Sequence, residues 1–139
     1  MERTFVDSTV FLDLFTQSQR AERAREYLRQ IQQGKRPAAT STFALLEVKY
    51  HLRRRLGHEK AEQAAYIIQT IPHLAVFELT QTIAAMAADI RFKYYDKKQK
   101  PVSFGDAIHI ATAVHAACTR ILTADSDFLG LDEIKAETY

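Results

Sequence analysis

The sequence predicts an α/β fold with a central parallel sheet of four to five short strands and helices on both faces. Two observations carry this. Short apolar segments rich in β-formers alternate with longer segments of helical character, the pattern of a parallel sheet covered on both sides. Helix stop and start signals also punctuate the chain at regular intervals. The length of 139 residues fits a single domain spanning 1–139, large enough to fold around its own core.

The elements follow in order. Thr4-Phe5-Val6 reads as a buried strand ending at Asp7. Ser8 or Thr9 can cap a short helix through Leu14 or Phe15, and Ala21 to Gln33 reads as a second helix that Gly34 stops. Residues 37–40 form a short strand. A helix then starts at Ser41 or Thr42 and runs to Leu56, with Gly57 ending it. His58 to Ile71 is helical up to Pro72, and Leu74 to Phe77 is a strand. Thr80 caps a helix through about Asp96, and Ser103 caps one from Phe104 to Ala117. Arg120 to Thr123 is a strand, followed by a helical turn at 127–129 and a weak final strand. In such sheets ligands bind outside the carboxyl ends of the strands.

Composition excludes several classes. Hydrophobic residues make up 47% and charged residues 26%, so the chain is neither disordered nor collagen-like. Cys118 stands alone, which excludes an intrachain disulfide and a zinc site built from cysteines. Nineteen basic and seventeen acidic residues leave a net charge of +2, so any nucleic-acid contact depends on local grouping of basic residues. No apolar run is long enough for a membrane span, and the N-terminus lacks the pattern of a secretory signal, which makes a cytoplasmic location the expectation.

Four acids stand in informative places. Asp7 and Asp125 each follow a buried strand, so parallel strands would bring both to one sheet edge. Glu47 interrupts the apolar stretch Phe43 to Val48, and Asp106 opens a helix made otherwise of Ala, Ile, Val and Thr. Each has a purely structural alternative: Asp7 and Asp125 as caps, Asp106 as a first-turn acid favoured by the helix dipole, Glu47 as a solvated helical residue. Acids are rarely buried unless paired or metal-bound, and clustered carboxylates repel one another. A divalent cation removes that repulsion, activates water and stabilises in-line displacement at phosphorus.

Four stretches together resemble the PIN domain family, and within it the VapC-type ribonuclease toxins. They are Phe5 to Val10, Ser41 to Glu47, Ser103 to Ala113 and Leu122 to Phe128, which span nearly the whole chain in order. The resemblance implies a PIN-like three-layer sandwich and a metal-dependent endoribonuclease that hydrolyses RNA phosphodiester bonds. It implies a four-acid site of Asp7, Glu47, Asp106 and Asp125 holding one or two Mg²⁺ or Mn²⁺ ions. Asp127 matches a further acid that many members carry, as a ligand, an outer-shell group or a cap. Ser8 and Thr123 either hydrogen-bond the ligands or serve strand-end and cap chemistry. The resemblance also implies a homodimer and a cognate antitoxin. The alternative is a PIN-like non-catalytic module that binds RNA or protein.

Other constellations are weaker. His109 lies three residues after Asp106 but lacks the further ligands a zinc site needs, so it reads as a core or surface histidine. An Asp-x-Asp phosphotransferase pair is absent, because Asp7-Ser8-Thr9 has Thr at the third position. Arg91, Lys93, Lys97, Lys98 and Lys100, with Tyr94 and Tyr95 among them, form a basic stretch with interleaved aromatics suited to an RNA backbone and unpaired bases.

Overall fold

Five short strands, all parallel, make the sheet at the centre of the computed structural model, which describes residues 2–95 and 102–139. The chain runs β1 (Arg3–Val6), α1 (Ser8–Thr16), α2 (Ala21–Gln32), β2 (Ala38–Ser41), α3 (Thr42–Leu56) and α4 (His58–Thr70). It continues through β3 (Leu74–Phe77), α5 (Gln81–Lys93), α6 (Phe104–His115), β4 (Cys118–Thr123), a 3-10 turn (Ser126–Phe128) and β5 (Lys135–Thr138). The strand order is β3-β2-β1-β4-β5, and every neighbouring pair is parallel. The fold class and element order expected from the sequence are therefore observed, with the final strand present as β5.

The central strands β1, β2 and β4 are largely buried because both faces of the sheet are covered. Successive residues of β1 feed opposite layers. Phe5 joins a core with Ile83, Ile110, Ile121 and Phe128, which draws in α5 and α6. Val6 joins a second core with Phe11, Leu28, Ile31, Val48, Leu52 and Leu122, which draws in α1 to α4. The same switch occurs at Ala38 and Ala39 of β2 and at Ile121 and Leu122 of β4. Among the described residues no helix is long and apolar enough to cross a membrane.

The caps lie where the side chains allow. Ser41 Oγ accepts the Ala44 N–H at 3.0 Å, and Thr80 Oγ1 accepts the Ile83 N–H at 3.2 Å. Gly57 closes α3 and opens α4 with φ of 95°, a conformation that side-chain-bearing residues rarely adopt.

Several boundaries differ from expectation by a residue, among them β2, which is shifted to Ala38–Ser41, and the turn, which is shifted to Ser126–Phe128; three larger differences have a visible cause. Helix α5 ends at Lys93 rather than near Asp96, because its end is tied to the 132–133 turn. Tyr94 Oη donates to Glu133 at 2.6 Å and accepts the Asp132 N–H at 3.1 Å, while Lys93 ion-pairs with both acids. Helix α6 ends at His115, before Ala117 adopts a left-handed φ of 57°. Strand β4 starts at Cys118 rather than Arg120, because Arg3 pairs with Cys118 ahead of a register shift.

Strand order reverses at β1, which has β2 on one side and β4 on the other. The crevice outside the carboxyl ends of β1 and β4 is thus the topological switch point, where open α/β sheets bind ligands. Asp7 leaves β1 there, and Asp125 follows β4.

Candidate active site

Asp7 is the residue immediately after β1, and its side chain is almost fully buried. It precedes α1, but its side chain makes no cap hydrogen bond to that helix. Two hydroxyls instead hold one of its oxygens: Thr9 Oγ1 and Thr123 Oγ1 each donate to Oδ2 at 2.8 Å. Of its two expected roles, Thr123 thus has the contact to a candidate ligand. The other hydroxyl belongs to Thr9, one residue beyond Ser8, which is the buried first residue of α1. Thr9 also accepts the Ala124 N–H at 3.0 Å, and Thr123 accepts the Asp125 N–H at 2.9 Å. These bonds lock the ends of β1 and β4 together and fix the direction in which Asp125 leaves the sheet.

Asp125 and Asp106 are set by local backbone rules. Asp125 Oδ1 accepts the Asp127 N–H at 2.9 Å and so caps the 3-10 turn. Asp106 belongs to a capping box: Ser103 Oγ accepts its N–H at 3.1 Å, and its Oδ2 accepts the Ser103 N–H at 3.3 Å. The structural alternatives raised for these two acids are real, and they are compatible with a ligand role because each carboxylate retains free lone pairs.

One oxygen from each of Asp106, Asp125 and Asp127 lies within 4.8 Å of the others. Burial raises the Asp106 pKa against its two Ser103 hydrogen bonds, and the charges of Asp125 and Asp7 push it further in the same direction. The carboxylates therefore stand close together, and repulsion from Asp125 and Asp7 adds to burial in disfavouring the charged form of Asp106. With only oxygen donors, the cluster suits a hard divalent cation. Asp127 is thus a full member of the cluster, while Asp7 stands behind it, linked to Asp125 through Thr123.

Glu47 has a different partner. It extends from α3, and His109 Nε2 donates to its Oε1 at 2.6 Å. The same Nε2 lies 3.7 Å from Asp7 Oδ1. His109 projects from α6 and is buried, with its ring between those of Phe5 and Phe43 at centroid distances of 5.6 and 5.5 Å. Burial disfavours its charge, but the Glu47 hydrogen bond and the carboxylates of Asp7, Glu47 and Asp106 outweigh that and hold its pKa above the ordinary value. The sequence reading of a core or surface histidine left the burial open and missed the contact. The available signal was its position one turn after Asp106 on the same helix.

Of the basic stretch, Arg91 lies with its guanidinium 5.2 Å from the Phe104 ring centroid and 6.0 Å from that of Tyr95, both rings being largely exposed. Lys93 is engaged by Glu133 and Asp132, which hold its pKa above the ordinary value. Lys97, Lys98 and Lys100 lie outside the described residues.

The Ser103–Asp106 box gives a direct expectation. Ser103→Ala should destabilise the fold by about 1 kcal/mol, the usual worth of an N-cap. Urea unfolding measures it, and an unchanged midpoint would contradict the structural role of the box.

Fold and site together define an α/β domain that gathers carboxylates at its switch point. Residues 4–134 match the family model described as PIN domain, and the chain belongs to the PIN domain family. Among solved structures it is similar to VapC20 from Mycobacterium tuberculosis, described as a sarcin-ricin loop cleaving toxin. That match has 26% identity, a TM-score of 0.73, and covers 95% of this chain and 98% of the other. Two further structures share the fold. VapBC2 from Rickettsia felis, bound to a promoter DNA fragment, has a TM-score of 0.77 at 12% identity and covers 98% of each chain. DNA-bound VapBC from Salmonella typhimurium has 0.74 at 20% identity, covering 99% of this chain and 98% of that one. No curated protein sequence matches the chain.

Proposed function

We propose that this chain is a divalent-metal-dependent endoribonuclease and the toxin of a VapBC-type pair. The observation that carries the reading is the cluster of Asp106, Asp125 and Asp127 at the β1–β4 switch point, with Asp7 behind it. Membership of the PIN domain family and the likeness to a sarcin-ricin loop cleaving toxin support RNA as the substrate. The ion is Mg²⁺ or Mn²⁺, bound as one or two ions, and the domain comprises residues 1–139. A cytoplasmic location, a homodimer and a cognate antitoxin complete the reading; the antitoxin is supported by the VapBC complexes that share the fold.

Asp106, Asp125 and Asp127 would hold the ion, with Asp7 and Glu47 completing the acidic site. When bound, such an ion supplies the charge that activates water and stabilises an in-line displacement. The chain itself supplies position. Thr9 and Thr123 fix Asp7, Ser103 fixes Asp106, and the 3-10 turn fixes Asp127 relative to Asp125. Arg91 offers the described cation of the basic stretch that remains suited to the RNA backbone, with Phe104 and Tyr95 beside it as exposed rings. Lys97, Lys98 and Lys100 extend that contact in this reading, and Lys93 contributes through the local field.

The test is cleavage of a mixed RNA pool by the purified chain with Mn²⁺ or Mg²⁺, repeated with EDTA and with Asp7→Asn. Cleavage should occur with metal and disappear in both controls. Cleavage that survives EDTA would refute the metal-dependent reading.

A further inference from the structure

We propose that His109 is a positioning residue that pre-orders Glu47 for metal binding, an inference that rests on the metal-site reading above. Four observations converge on it. The Nε2–H of His109 donates to Glu47 Oε1 at 2.6 Å across 62 residues of sequence, joining α6 to α3. The imidazole cannot turn freely, because Phe5 and Phe43 flank it. Its Nδ1 is buried and has no hydrogen-bond partner, so the ring is kept in an apolar slot at the expense of one unsatisfied polar atom. A leucine would fill such a slot without that cost, so the polar function retained at this position is the Nε2 contact.

The fourth observation is the packing of Glu47 itself. A Cβ at Gly105 would come within 3.0 Å of Phe43 Cε2 and within 3.6 Å of Glu47 Oε2. Gly105 therefore leaves the room in which Phe43 sits, and it lies beside the second carboxylate oxygen at ordinary contact distance. Glu47 is held through one oxygen by α6, and its other oxygen lies near the start of the same helix. A free glutamate side chain loses considerable rotamer freedom when ordered. Here the His109 hydrogen bond imposes that order before any ion arrives and engages Oε1 alone. His109 thus acts through Glu47, as the outer-shell partners of metal ligands generally act through the ligand.

The experiment measures Mn²⁺ affinity of the full chain by calorimetry, with metal-free melting curves confirming that each variant folds. His109→Leu, which fills the slot without a donor, should weaken Mn²⁺ binding by about 10–100-fold. His109→Gln, whose amide nitrogen can reach the place of Nε2, should restore most of the loss. In the Glu47→Gln background, His109→Leu should cause little further loss, because the group it positions is already altered. Wild-type affinity in His109→Leu would overturn the proposal. So would an equal loss in the Glu47 and Glu47→Gln backgrounds, which would mark His109 as merely structural. Should the leucine variant not fold, His109→Asn replaces it: the shorter amide cannot reach Glu47, so it should weaken binding where His109→Gln does not, and equal affinities would overturn the proposal. Mn²⁺ binding by the wild-type chain without RNA cleavage would refute the nuclease reading alone, whereas no Mn²⁺ binding at all would refute both.

Discussion

Asp125→Asn should lower RNA cleavage and Mn²⁺ affinity by more than about 100-fold, beyond the 10–100-fold typical of outer-shell partners. The fold should survive. An asparagine Oδ1 can still accept the Asp127 N–H, so the cap of the 3-10 turn persists. The variant should also show an inverted thermal response. The charge of Asp125 is one of the influences that raise the Asp106 pKa, after burial, so its removal relieves repulsion in the metal-free chain. Without metal, Asp125→Asn should melt at or above the wild-type temperature. With Mn²⁺, the wild type should gain stability by mass action and the variant should not. Differential scanning calorimetry with and without Mn²⁺ reads both effects, and an equal Mn²⁺-induced rise in the two proteins would exclude Asp125 as a ligand.

Phe5→Ala should produce the largest loss of stability, about 3–5 kcal/mol. Phe5 is fully buried in the central strand and belongs to the core beneath α5 and α6. Its removal opens a cavity there, and the melting temperature should fall by on the order of 10–20 °C. Phe5 is also a wall of the His109 slot, so the substitution should weaken Mn²⁺ binding as well. The control is Ile31→Ala on α2, which is equally buried but belongs to the opposite core. It should cost about 2–5 kcal/mol and leave Mn²⁺ affinity unchanged in the folded protein. A comparable loss of affinity in both variants would mean that general destabilisation, rather than the slot, governs the site.

What could be read from the sequence follows the range of the interactions involved. Asp7 and Asp125 were legible because strand ends are local features, and a parallel sheet then places them on one edge without further information. The Ser103 and Thr80 caps were legible for the same reason, since each spans three residues. The partner of His109 was not, because the Glu47 contact depends on how α3 and α6 cross, which no local pattern encodes. The choice of Thr9 over Ser8 turns on which hydroxyl faces Thr123, a matter of pairing between β1 and β4. The early end of α5 likewise reflects a distant anchor, the 132–133 turn that holds Lys93 and Tyr94.

The pairing of β1 with β4 has a consequence for synthesis. Asp7 is made at the start of the chain, yet the hydroxyl of Thr123 that fixes it comes 116 residues later. At about 5–20 residues per second, that interval is on the order of 6–23 s. Throughout it, a nascent chain on the ribosome has the first carboxylate and β2 to pair with β1, but neither β4 nor Asp125 and Asp127. A site divided in this way between the first strand and the fourth is expected to form only after β4 and the turn that follows it have emerged.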